Sequence, residues 1–288
     1  MSGDIRPFRS VLYIPCSRER AIEKARTLAA DALIFDLEDA VSPNEKDRAR
    51  TNLIAALSHG EFRAGTKIVR INDLKTTWVE ADIAAVNKMN IDAVLLPKVG
   101  STSDITTLAS ALARMPLWAM METPLAILNA QQIASHSHLR GMVMGTNDLQ
   151  KELRAKDLPD RLALHTSLQL CILAARAHGK TVVDGVYNAF KDTAGLHTEC
   201  VQGRDFGMDG KTLIHPAQIA VANEVFAPSA DEIALALRHI EAHEAADAAG
   251  EGVAVVDDRI VESLHVATAR SVLARAKAIA AMAAEDGQ

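Results

Sequence analysis

The sequence predicts an α/β protein, a (β/α)8 barrel of the TIM type followed by a C-terminal helical extension. Three observations carry that expectation. Short apolar runs alternate with helical periodicity eight times between residues 10 and 226, and such alternation builds a parallel sheet covered by helices. The filling is aliphatic, with 3% aromatic against 49% hydrophobic residues, as a parallel sheet buried on both faces requires. After the first strand the chain reads Ile14-Pro15-Cys16-Ser17-Arg18, without the GxGxxG turn of an open doubly wound sheet.

In chain order, the first strand is expected over residues 10–15 and its helix over 17–30, with basic Arg18, Arg20, Lys24 and Arg26. The second, 32–37, ends in Glu38-Asp39, and a turn at Ser42-Pro43-Asn44 opens a helix to about residue 58. Strand three, 67–71, carries Arg70 near its end and is followed by a helix over 78–89. Strand four, 93–96, exits through Pro97-Lys98, and Ser and Thr caps introduce a helix over 101–114. Strand five, 117–121, stops at Glu122, with Thr123 as N-cap and Pro124 in the first helical position. Strand six, 141–145, ends in Thr146-Asn147-Asp148, and a longer loop precedes a helix over 160–178. Strand seven, 181–183, leaves through Asp184-Gly185 before a helix over 190–202. The eighth run, 207–215, is the least regular and passes through His215-Pro216 into a helix ending near 226.

Pro228-Ser229 marks a boundary between a barrel domain over 1–227 and an appended segment over 228–288. The segment reads as a helix over 230–248, a β-like run over 253–256, a turn at Asp257-Asp258 and a last helix over 261–283. It is too small for a core of its own, so it is expected to act as a lid over the barrel or as an oligomerisation segment against a neighbouring subunit.

Composition excludes several classes. A net charge of -6 with no Lys/Arg-rich run argues against a nucleic-acid surface. Three cysteines, Cys16, Cys171 and Cys200, form no CxxC pair and leave one over, which fits a reduced, cytoplasmic protein. No apolar stretch approaches the roughly 20 residues that span a bilayer, and no secretory leader is expected.

In a barrel the functional face is the C-terminal end of the strands. Tyr13, Glu38, Asp39, Arg70, Lys98, Glu122, Asp148, Asp184, Lys211 and His215 are expected to emerge there. Adjacent strands lie roughly 4.8 Å apart, so Glu122 and Asp148, leaving neighbouring strands at the same end, can share one small cation. The other reading is that both acids merely cap helices. Two carboxylates without His or Cys select a hard cation, and Mg2+ fits because it keeps water positions open for substrate. Arg70 can hold a carboxylate or an oxyanion by a bidentate contact, or serve only as partner to Glu38 or Asp39. Arg20 and Lys24, one helical turn apart, can grip phosphates or form a solvated basic face.

The segments Leu12-Tyr13-Ile14-Pro15, Phe35-Asp36-Leu37-Glu38-Asp39-Ala40-Val41, Val69-Arg70-Ile71-Asn72, Leu96-Pro97-Lys98-Val99, Glu122-Thr123-Pro124 and Gly207 to Pro216 resemble, in that order, the citrate lyase beta-subunit-like branch of the HpcH/HpaI aldolase family. The resemblance implies a Mg2+-dependent barrel that cleaves or forms a carbon-carbon bond in a 3-hydroxyacyl thioester such as malyl-CoA, citramalyl-CoA or citryl-ACP. By that resemblance Glu122 and Asp148 match metal ligands and Arg70 a substrate arginine. Tyr13, Arg20 and Lys24 match positions that contact the thioester carrier. Relatives that cleave CoA thioesters tend to read Asp-Gly-Lys-Met-Ile-Asp in the C-terminal segment, the last Asp acting as acid/base. This chain reads Asp257-Asp258-Arg259-Ile260-Val261-Glu262, so Glu262 takes the acid/base position with a side chain longer by one methylene.

The expected activity is a retro-Claisen lyase releasing acetyl-CoA and a 2-oxo acid. The alternatives are a malyl-CoA thioesterase, an aldolase acting on free keto acids, and a citrate lyase beta subunit working in a complex with an acyl-carrier protein. A homotrimer or hexamer is the family expectation.

Overall fold

The computed structural model describes residues 6–112, 115–250 and 253–285. They separate into two compact units, Phe8–Phe226 and the remainder.

The first unit contains a closed barrel of eight parallel strands arranged in chain order. These are β1 Ser10–Pro15, β2 Ala32–Asp36, β3 Thr66–Arg70, β4 Ala93–Leu96, β5 Leu117–Met121, β6 Leu139–Met144, β7 Thr181–Asp184 and β8 Gly210–Leu213. The helices between and after them are α1 Glu19–Ala25, α2 Lys46–Ser58, α3 Val79–Val86, α4 Thr102–Ala111, α5 Pro124–Leu128, α6 Ala130–Ser135, α7 Thr146–Glu152, α8 His165–Ala177, α9 Thr193–Phe206 and α10 Ile219–Val225. Residues 113 and 114, the expected end of the fourth helix, lie outside the described residues.

Two elements differ from expectation. The single helix expected after strand five is broken into α5 and α6 at Asn129, whose side-chain amide donates to the Gly100 carbonyl at 2.7 Å. That tertiary contact offers an alternative to helical continuation. The loop expected after strand six begins as α7, a helix of 7 residues. It is too short to leave an apolar period in the sequence.

Side chains alternate across each strand. Leu12, Leu33 and Val69 face the surrounding helices, while Val11, Ile34, Ile68, Leu95, Trp118, Val143 and Val183 fill the barrel. The same period carries Tyr13, Asp36, Arg70 and Glu122 onto the inner face at the C-terminal rim, with Asp36 paired in register to Arg70. Trp118 fits because its neighbour on β6 is glycine: a Cβ on Gly141 would stand 2.5 Å from the indole. The β5–β6 register shifts beside that contact.

Buried polar side chains brace the rim. The Lys46 ammonium donates to the carbonyls of Leu37 and Glu38, both at 2.8 Å, and to the Asn72 side chain. Asp82, itself paired with Arg50, accepts from the Asn72 backbone and amide. The exits of β2 and β3 are thereby tied to α2 and α3.

In the second unit, α11 (Ala230–Ala249) starts with a Ser229/Glu232 capping box and ends at Gly250 in the left-handed region. A hairpin follows, β9 Ala254–Val256 and β10 Arg259–Val261, where only one β-like run was expected. Its two-residue turn, Asp257-Asp258, has φ of 50° and 60°, the left-handed pair that matches strand twist. Arg238 holds Asp257 by two bonds of 2.7 and 2.8 Å. The last helix is α12, Ser263–Glu285. Ala246, Ala254, Val261 and Val266 form a small core, where the segment was expected to have none of its own. Among the described residues no helix is long and apolar enough to cross a membrane.

Candidate active site

The C-terminal rim of the barrel opens into a cavity of about 400 Å3, lined by residues that include Tyr13, Asp36, Asp39, Arg70, Glu122, Asp148, Asn188 and Thr212. Four carboxylates and one guanidinium face this space. The Lys98 ammonium reaches two of the carboxylates. Acids therefore outnumber bases around this space, a balance that favours a bound cation.

Arg70 is buried and held in a fixed plane. Its Nε and Nη2 donate to the two oxygens of Asp36 at 2.8 and 2.6 Å, and the guanidinium lies 4.9 Å from the centre of the Tyr13 ring. Nη1 is left between Glu38 at 3.0 Å and Asp39 at 3.5 Å. The fork therefore goes to Asp36, which the sequence reading did not single out as a site residue. Its signal was an acid two residues after Ile34 inside an apolar strand, where the period points it inward.

Electrostatics sort these acids. Burial pushes the Asp36 carboxyl up, but the Arg70 charge and hydrogen bonds, with backbone donors from Glu38 and Ala40, bring it below the usual carboxylate range. Glu38 is pushed up to about 8 by burial and by the neighbouring charges of Asp39, Asp36 and Glu122, against the opposing pull of Arg70. Tyr13 is likewise raised by burial, and its hydroxyl donates to the Met120 sulfur at 3.4 Å.

Glu122 and Asp148 come together as the strand order requires. Thr123 caps α5 through the Ala126 N–H at 3.1 Å and Pro124 begins it, leaving Glu122 as the last inward residue of the β5 exit, 2% exposed. Asp148 stands in the first turn of α7, where the N–H dipoles favour an acid. Burial raises the Glu122 carboxyl above its ordinary value, although the Lys98 N–H and ammonium oppose this. A buried carboxylate of this kind is stabilised by a bound cation.

The cation present is Lys98. Its backbone N–H donates to Glu122 Oε1 at 2.7 Å. Its Nζ contacts Asp148 Oδ2 and lies 3.5 Å from Glu122 Oε1. The seat is all oxygen, and among the described residues no group of three or more His, Cys, Asp or Glu could hold a metal. An ion there would complete its coordination with water and substrate, as a hard divalent cation does. Gly145 is required beside it, because a Cβ would stand 2.3 Å from Glu122 Cβ and 2.8 Å from Oε2.

Other expected residues lie elsewhere. Arg20 and Lys24 are exposed on α1 and do not line the cavity. Asp184 and Lys211 are fully buried in a network with Arg161 and Glu199 behind the rim. His215 caps the Ala217 N–H and stacks on Phe190 at 4.7 Å. Lys211 and His215 are thus structural groups and do not line the cavity. Glu262 is exposed at the start of α12, in the second unit. Sequence reasoning also passed over Asn147 and Asn188, whose amides exchange two hydrogen bonds of 3.3 and 2.9 Å across the cavity wall.

With this geometry in place, the comparisons with known proteins agree on one group. A family profile described as HpcH/HpaI aldolase/citrate lyase matches residues 9–216. A (3S)-malyl-CoA thioesterase of Cereibacter sphaeroides is 58% identical over 284 residues, covering 99% of this chain and 100% of that protein. The citrate lyase subunit beta of Escherichia coli is 34% identical, covering 93% of each chain. The crystal structure of CitE from Mycobacterium tuberculosis in complex with magnesium, acetoacetate and coenzyme A superposes with a TM-score of 0.80 at 29% identity, covering 95% of this chain and 100% of that one. The chain belongs to the HpcH/HpaI aldolase/citrate lyase family.

Proposed function

We propose that the chain is a Mg2+-dependent enzyme that hydrolyses a malyl-CoA-type 3-hydroxyacyl thioester to the free hydroxy acid and CoA. The observation that carries this reading is the all-oxygen seat of Glu122 and Asp148, in a cavity where acids outnumber bases. The thioesterase name of a relative 58% identical along its whole length supports hydrolysis. The magnesium and CoA of the CitE complex support the cofactor and carrier.

Glu122 and Asp148 would hold Mg2+, which supplies Lewis acidity at the substrate's hydroxy-acid end. Arg70 lines the cavity, and the edge that carries Nη1, which it shares with Glu38 and Asp39, would face the thioester oxygen as negative charge develops there. The Asp36 fork and the Tyr13 ring keep that edge in place, so little reorganisation is needed during reaction. Arg20 and Lys24 are assigned to the phosphates of the carrier. Glu262 is assigned to acid/base work by its place in the C-terminal segment, which would serve as a lid or subunit contact in a homotrimer or hexamer.

A second reading is retro-Claisen cleavage to acetyl-CoA and a 2-oxo acid, favoured by the citrate lyase beta relatives. In that case Glu262 protonates the enolate carbon, and an acyl-carrier protein would stand in for CoA as carrier. One experiment separates the two. Purified protein with malyl-CoA and Mg2+ is expected to release free thiol without acetyl-CoA, and EDTA to stop it. Acetyl-CoA and glyoxylate in equal amounts would replace hydrolysis by the lyase reading. Glu262→Gln would then have to abolish solvent exchange of the acetyl-CoA methyl hydrogens for Glu262 to keep its role.

The glycine beside the seat gives a further expectation. Gly145→Ala forces the Glu122 carboxylate aside, and a displacement near 1 Å costs about a hundredfold at a preorganised site. Turnover should show that loss, and titration with Mn2+ a weakened seat. Turnover and Mn2+ binding equal to the parent's would mean that the seat tolerates the methyl group.

A further inference from the structure

We infer that Lys98 is a built-in counter-ion whose ammonium occupies the seat between Glu122 and Asp148 and is exchanged for the divalent cation when that cation binds. The inference rests on the metal reading of those two carboxylates and adds a competitor to it.

Two parts of Lys98 behave differently. Its backbone is anchored: φ is 53°, in the left-handed region, and the N–H is bonded to Glu122 Oε1 at 2.7 Å. The anchor holds whatever the side chain does. The ammonium reaches both carboxylates from a side chain that is 32% exposed. A lysine side chain with access to water leaves a contact without stranding a charge, because its stem is flexible and its head is readily hydrated. The carboxylates do not have that freedom. Glu122 is 2% exposed, so it is better stabilised with a cation at all times, either the tethered ammonium or the free ion.

A tethered monovalent cation on the same two oxygen ligands lowers apparent affinity for the divalent ion by the free energy of the contact it must give up. For a pair this exposed the contact corresponds to about a fivefold change. Lys98→Met keeps the chain length and an unbranched Cβ at the left-handed position, so the backbone anchor is retained.

Two measurements on the full chain test the exchange. Electron paramagnetic resonance titration with Mn2+ should show Lys98→Met binding roughly fivefold more tightly than the parent. Acetylation of lysines followed by peptide mass spectrometry should show Lys98 of the parent labelled several-fold faster with saturating Mg2+, with exposed Lys75 as internal reference. Equal or weaker Mn2+ binding by Lys98→Met overturns the inference, as does unchanged or slower labelling of Lys98. A parent protein that binds no Mn2+, or binds it equally well as Glu122→Gln, overturns instead the metal reading beneath it.

Discussion

Glu122→Gln is expected to lose divalent-cation binding and to lower turnover about a thousandfold while leaving the protein as stable as before, or more so. The loss follows from charge. Gln keeps the shape of Glu122 and can still accept the Lys98 N–H, but it removes one of only two anionic ligands in the seat. Lewis-acid stabilisation contributes several kcal/mol, and about three decades in rate correspond to roughly 4 kcal/mol. Stability moves the other way because burial holds the Glu122 carboxyl above its ordinary value. A carboxyl whose folded pKa is raised destabilises the folded state as pH rises above the unfolded value. The neutral amide lacks that penalty at neutral pH. Mn2+ titration, turnover and thermal unfolding on one preparation test both halves. Activity within tenfold of the parent would remove Glu122 from the seat, whereas lost activity with a lowered melting temperature would make it a structural acid.

Such a trade between stability and activity is expected of residues placed for chemistry rather than packing, and it bears on what could be read from the sequence. Barrel architecture was legible because each strand is an aliphatic run and each connection a helix. The pairing of Glu122 with Asp148 was legible because sequential parallel strands are neighbours, so two acids at successive exits have to meet. Asp36 was not legible as a site residue. It lay inside the expected strand over 32–37, whereas β2 ends on it, and its partner Arg70 is 34 residues away, a pairing set by barrel register. Lys98 was seen as an exit residue only. Its place over both carboxylates depends on a left-handed backbone at a non-glycine residue, which no local pattern announces. Asp184 and Lys211 show the opposite error. Asp184 closes β7 as an active-site residue would, yet the register pairs it with Lys211 near the start of β8, and the two meet behind the rim.

For that reason Asp184→Ala should damage the fold and spare the seat. Burial pushes the Asp184 carboxyl up, but Lys211, Arg161 and the Gly185 N–H together pull it below the ordinary range. The folded state therefore draws stability from its ionised form, present above the unfolded carboxylate pKa and lost as pH falls through the still lower folded one. Removing the carboxylate leaves Lys211, fully buried, with Glu199 at 2.6 Å as its remaining counter-charge. It also takes from Arg161 two bonds of 2.8 and 2.9 Å. Breaking a buried pair by deleting one partner costs about 3 to 5 kcal/mol, and the surviving Glu199 places this case near the lower end. Urea unfolding should register the loss as a lower midpoint at unchanged slope. The exposed Arg204–Asp205 pair serves as control, since Asp205→Asn should leave the midpoint where it was. At low temperature, where Asp184→Ala remains folded, its Mn2+ affinity should match the parent. A variant with parental stability and weakened Mn2+ binding would move Asp184 out of the scaffold and into the site.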